Sequence, residues 1–257
     1  PPRSTLFPYT TLFRSYRLTN IIGEDHVYFF TFNLVGSPME SASNLNEYIQ
    51  QVKKATGHDK VNLLNVSLGG TIFTAYLDVY GHKDINQVVN AVAATDGSEI
   101  IADFLTRGED GFRIDDEFLY HEYIPKIIAE SNDTASLGYL LNLVIRIIPR
   151  QVFRDTLTAA MDGLSETLLV NCPQFWALVP SDRYDALCKK YLTDKDHAVL
   201  KAKTDRYHQA QLNLGKNVLA AHAAGVKIDS IAGANLAFGD VEYSYFSIIK
   251  SALNTNS

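Results

Sequence analysis

Lys60-Val61-Asn62-Leu63-Leu64-Asn65-Val66-Ser67-Leu68-Gly69-Gly70 is the stretch on which the fold turns. A short apolar run ends in a serine, two glycines follow at once, and an amphipathic segment runs on to about Tyr80. This order predicts a strand over 60–65, a sharp turn, and a helix over 68–80. Asn65-Val66-Ser67-Leu68-Gly69 matches the pattern Gly-x-Ser-x-Gly with its first glycine replaced. On such a turn the serine is strained, and the residues two before and two after it come close together, so bulk clashes. Gly69 and Gly70 meet that need, and Asn65 is tolerable because Asn accepts unusual backbone angles better than most residues. A helix starting at Leu68 aims its N-terminus at the serine and makes the Leu68 N–H a donor for developing negative charge. The alternative is a glycine-terminated strand with an ordinary serine, because a five-residue pattern is weak by itself.

The flanks extend the pattern. Val27-Tyr28-Phe29-Phe30-Thr31-Phe32-Asn33 is aromatic and β-branched, which predicts a buried strand. Ser37-Pro38-Met39-Glu40 reads as a helix start, with Ser37 as N-cap, Pro38 as first helical residue and Glu40 closing a capping box. Ala42, Leu45, Ile49 and Val52 recur at helical spacing until Gly57 stops the helix. Gly81 is the next stop, and 85–94 reads as a third strand. Strand and helix alternate with short links, so the fold class is α/β, with a mainly parallel sheet covered on both faces.

After Asp96-Gly97 the character changes. From Ser98 to about Ala224 the pattern is helical, punctuated by Pro125, Pro149, Pro173 and Pro180, and Val226 to Gly233 resumes the sheet as a fourth strand. More than a hundred helical residues exceed one crossover, so 97–222 reads as an inserted helical cap between core segments 16–96 and 223–257. Leu137 to Ile148 is its most apolar helix, too short and too interrupted by Asn142 and Arg146 to span a bilayer. It reads first as a helix packed on the cap or core, and alternatively as an acyl-chain wall or the interfacial surface of a lid. The acidic residues Glu99, Asp103, Glu109, Asp110, Asp115, Asp116 and Glu117 read as a solvated face.

Composition narrows the function classes. The chain has 257 residues, enough for one large domain with an insertion, and a net charge of −6, which argues against a nucleic-acid partner. Cys172 and Cys188 make no metal or redox motif and are read equally as a reduced pair or one disulfide. Residues 1–15 agree throughout with the in-frame translation of a common short-read sequencing adapter and read as an artefact, not as part of the natural chain. Without Arg3 and Arg14 the basic residues fall from 23 to 21 against 29 acidic ones, a net of −8. The natural chain is expected to begin upstream of Tyr16, which leaves export to a bacterial surface or exterior open.

Taken together, the chain resembles the α/β-hydrolase superfamily, specifically bacterial lipase/esterase-like members related to the lecithin:cholesterol acyltransferase group. The likeness rests on the order of 27–33, capped helix and Asn65-Val66-Ser67-Leu68-Gly69-Gly70, on the later helical insertion, and on Pro173-Gln174-Phe175-Trp176-Ala177-Leu178-Val179-Pro180-Ser181. That last run is similar to a Pro-x-x-Trp-x-Leu-x-Pro stretch in those caps. The resemblance covers 16–257, most specifically 24–96. It implies a serine–acid–histidine triad in that chain order, no cofactor or metal, and a small-molecule or lipid ester substrate. Ser67 is then the nucleophile and the Leu68 N–H one oxyanion donor, with Trp176 and Phe175 as candidate substrate contacts of the cap. Asp96, just after the third strand, and Asp240, after the fourth, are the candidate acids.

The histidine is the missing part. His26, His58, His82, His121, His197, His208 and His222 all precede the fourth strand, whereas the family order places the base after it. His121 is a weak candidate on the cap. The chain is therefore expected to be a fragment, truncated at both ends and inactive by itself. Competing readings are an acyltransferase of the same fold and a non-catalytic hydrolase-fold binding protein.

Overall fold

The computed structural model describes residues 20–21, 23–106 and 149–232. Residues 1–15, the apolar segment 137–148, His121 and Asp240 lie outside them. The elements in chain order are α1 (Pro38–Thr56), β1 (Val61–Val66), α2 (Gly69–Tyr80), β2 (Ile85–Ala91) and α3 (Glu99–Thr106). Then come α4 (Arg150–Gly163), a π-helical stretch (Leu164–Leu169), α5 (Pro173–Trp176), α6 (Tyr184–Tyr191), α7 (Ala198–Ala223) and β3 (Lys227–Ile231).

The strands form one parallel sheet in the order β1-β2-β3. The α/β class and the parallel sheet are as expected. The helix boundaries also follow local rules. Gly57 ends α1 with φ 71°, its N–H reaching the Lys53 carbonyl, and Gly81 ends α2 with φ 68°. At the start of α1, Pro38 occupies the first turn as anticipated, but Ser37 makes no side-chain cap bond, so the capping box does not form.

Val27 to Asn33 is not a strand. An extended segment becomes a strand only when a neighbour takes its backbone hydrogen bonds, and no described strand pairs with it. Phe30 and Phe32 instead rest against the main core, Phe30 lying 5.8 Å from the Tyr48 ring.

Among the described residues the sheet is covered on one face only. Val61, Leu63, Val88 and Ile228 face the helices and join the core, whereas Asn62, Leu64, Val66, Lys227, Asp229 and Ile231 are exposed. The reason is topological. Parallel crossovers are right-handed, so stepping in one direction from β1 to β2 to β3 puts every connecting helix on the same side. In that layer α2 is central. Gly70 to Leu77 are all buried, with α1 packed on one flank and α7 on the other.

Two apolar cores result. The first gathers Ala42, Leu45, Ile49, Ile72, Phe73, Tyr76, Ile85 and Val88 with Tyr207, Ala221 and Val226. The second gathers Ala102 and Leu105 of α3 with Trp176, Val179, Tyr184, Leu187 and Leu192. No strand occurs among the described residues between β2 and β3. The last helix before β3, α7, nevertheless belongs to the core that covers the sheet, so that layer reaches back well before residue 223. Cys172 and Cys188 are both buried and free. Among the described residues, no helix is long and apolar enough to cross a membrane.

Candidate active site

Ser67 leaves β1 with φ 50°, one of two non-glycine residues with positive φ among the described residues. L-residues avoid this region, and such strain persists only where the surroundings over-determine it, often at functional sites. Three backbone hydrogen bonds supply that determination. The Ser67 N–H donates to the Ala91 carbonyl at 3.3 Å, and the Ser67 carbonyl accepts from Gly70 at 3.0 Å and Ala94 at 2.9 Å. The end of β2 and the loop after it thus grip the serine from both sides, while the residue itself stays exposed. The other positive-φ residue, Val92 at φ 47°, lies in that same gripping loop, 60 % exposed. No sequence signal marked it, since valine is among the residues least expected there.

Leu68 begins the turn into α2, whose N-terminus is adjacent to Ser67. Among the described residues no acceptor takes the Leu68 N–H, so a donor at a helix N-terminus is available beside the serine. The two glycines play unequal parts. A Cβ on Gly70 would lie 2.7 Å from the Ala94 nitrogen and 2.9 Å from the Thr95 nitrogen, whereas one on Gly69 would meet nothing within 4 Å. Gly70 is the residue that lets α2 cross the end of β2.

Asn65 differs from expectation in its reason. Its backbone is ordinary strand, and its side chain, not any backbone tolerance, is what the structure uses. The Asn65 amide Nδ2 donates to Asn90 Oδ1 at 3.0 Å, directly across the β1–β2 ladder. Val66 is exposed on the opposite, uncovered face of the sheet.

The Pro173–Ser181 run is a clamp. Trp176 is 1 % exposed and donates its indole N–H to the Val170 carbonyl at 2.8 Å, so its ring is packed in the core. Phe175 is half-buried beside it. Gln174 donates to the Thr71 hydroxyl of α2 at 2.7 Å, Ser98 donates its N–H to the Leu178 carbonyl, and Gln211 of α7 donates to the Val179 carbonyl. Gly97, φ 87°, leaves room for this contact, since a Cβ there would lie 2.6 Å from the Leu178 carbonyl oxygen.

Asp96 belongs to the same clamp. Its carboxylate accepts from the Ser181 hydroxyl at 2.9 Å and the Ser181 N–H at 3.3 Å. Although Asp96 is exposed as a residue, desolvation by its neighbours pushes its carboxyl above the usual range, against the lowering effect of the Ser181 bonds and of His208 and with Asp182 adding repulsion. Its carboxylate is thus committed to a loop contact. No described histidine bonds to Asp96 or Ser67: His197 lies against Asp194 at 2.8 Å, His208 stacks on Tyr184 at 4.2 Å, His82 is half-buried before β2, and His26, His58 and His222 are exposed. Glu99 and Asp103 of the acidic stretch face Arg183 at 3.1 and 3.8 Å.

The structure therefore brings together Ser67, the Leu68 N–H and the Ala91–Ala94 segment, and among the described residues no hydrogen bond links Ser67 to an acid or a histidine. Comparison with protein-family models, curated proteins and solved structures returned no match to this chain.

Proposed function

We propose that this chain carries the nucleophile turn of a serine hydrolase of the α/β-hydrolase kind, acting on carboxylic esters, with the helices between β2 and α7 forming its cap. The observation that supports this most is the serine itself: exposed, at φ 50°, between a parallel strand and a buried helix. Strand, strained serine and helix in that order are the mechanical requirements of an exposed nucleophile, because the turn lifts the hydroxyl clear of both flanking elements. In this reading the Ser67 Oγ attacks the ester carbonyl as its proton passes to a histidine base. The Leu68 N–H stabilises the oxyanion, the alcohol leaves, and water then hydrolyses the acyl-enzyme.

An acyltransferase would differ only in replacing that water by another acceptor. The non-catalytic reading is favoured by one observation, that no described histidine hydrogen-bonds to Ser67. A fluorophosphonate probe applied to the complete gene product separates the two classes. A hydrolase or acyltransferase is labelled on Ser67, and Ser67→Ala abolishes labelling and lowers ester turnover by roughly 10⁴- to 10⁶-fold. A folded product that resists the probe is a binding protein.

A further inference from the structure

Asn65 and Asn90 are an anomaly in the layer that faces the helices. They are 8 % and 9 % exposed, and the neighbouring positions on the same face of their strands are Leu63 and Val88 of the apolar core. A buried amide pair costs desolvation that two apolar side chains would avoid, so its presence calls for a use other than bulk stability. The best-attested use of such a pair is to fix register, since a slipped alignment sets each amide against an apolar neighbour with no partner. The register in question matters here. Asn65 pairs with Asn90 and Val66 with Ala91, and the next step along is the grip on Ser67, through the Ala91 carbonyl and the Ala94 N–H. One residue of slip displaces a strand by about 3.3 Å and inverts its faces, which would pull Ser67 out of both bonds.

We propose that Asn65 and Asn90 are positioning residues for Ser67, a register lock that holds the serine in its positive-φ conformation; the catalytic meaning of this rests on the hydrolase reading above. The departure from Gly-x-Ser-x-Gly at its first position is then functional, because a glycine there would have no side chain to lock with. The geometry assigns the pair no contact with substrate. It acts only through the serine peptide that it registers.

The test uses amide hydrogen exchange on the full chain, with Asn65→Val/Asn90→Val and Asn90→Ala as variants. Leu63 and Val88, lower in the same strands, serve as internal reference. A register lock predicts that the Ser67 and Ala94 amides exchange about tenfold faster relative to that reference, the weight of one lost hydrogen bond. Equal acceleration at all four amides, or none, overturns the proposal and leaves the pair as ordinary packing. Asn90→Ala decides the question in the same way if the valine pair does not fold, because the ratio is internal to each variant. Phosphonate labelling of the same variants in the complete gene product should slow in parallel. A wild-type product that resists the probe while the exchange ratio still shifts removes the hydrolase reading and leaves the lock standing. Labelling that is unchanged while the ratio shifts refutes the catalytic part alone.

Discussion

At the scale of single residues, the site is held by what cannot be enlarged. Gly69 and Gly70 are equivalent by eye in the sequence, yet only Gly70 is pressed against backbone, the Ala94–Thr95 peptide. Backbone cannot swing aside as a side chain can, so a methyl group at 70 forces α2 away from β2. Gly70→Ala is expected to cost about 3 kcal/mol by overpacking, and Gly69→Ala to change stability by no more than about 0.5 kcal/mol. Urea unfolding of the two variants checks this, and equal effects would mean that α2 does not cross β2 as described. Asn65 teaches the complementary lesson. Its residue type was visible, but the role of its side chain depended on what stood opposite it in the ladder.

At the scale of elements, two carboxylates tie neighbouring elements together, Asp84 buried and Asp78 partly so. Asp84, at the entry to β2, accepts from Lys53 and Gln50 of α1 at 2.5 and 3.0 Å. Asp78 of α2 accepts from Arg206 and Asn213 of α7 at 2.8 Å each. Burial alone would raise both carboxyls, but the hydrogen bonds and nearby positive charge outweigh it and hold both below the usual range. A depressed folded pKa contributes stability that is fully present above the unfolded value of about 3.9 and is lost as pH falls through the folded value. Stability attributable to these ties should therefore be flat at neutral pH and fall below about pH 4. Asp78→Asn/Asp84→Asn should lower stability at pH 7 by about 1–3 kcal/mol per site and weaken its fall in acid. Denaturant midpoints between neutral pH and pH 3 read this directly; an unchanged acid slope in the double variant would place the acid sensitivity elsewhere.

At the scale of the whole molecule, the sheet and its helical layer are built from residues well beyond the adapter-like segment 1–15. A segment translated from an adapter would not have been selected against this core. Its deletion should change stability by no more than about 0.5 kcal/mol, the usual scale for changes away from packed features. Comparison of thermal unfolding for 1–257 and 16–257 tests it, and a loss of several kcal/mol would make the segment part of the fold. The molecule also shows why the region between β2 and β3 divides. Trp176 and Tyr184 centre a second core with α3, whereas Tyr207 and Ala221 commit α7 to the sheet.

What the sequence determined by itself was local: the strand–turn–helix over 61–80, the stops at Gly57 and Gly81, the strands near 85–91 and 227–231, and Ser67 on the turn. These follow from periodicity and backbone freedom, which act over a few residues and are written in consecutive letters. The tertiary structure alone decided whatever depends on a neighbour distant in the chain. Val27 to Asn33 has every preference of a strand, yet no described strand pairs with it. Trp176 and Asp96 carry side chains suited to a site, and contacts with Val170 and Ser181 turned them to packing and to a clamp. Ser67 carries its positive φ because Ala91 and Ala94, more than twenty positions on, hold its peptide from both sides.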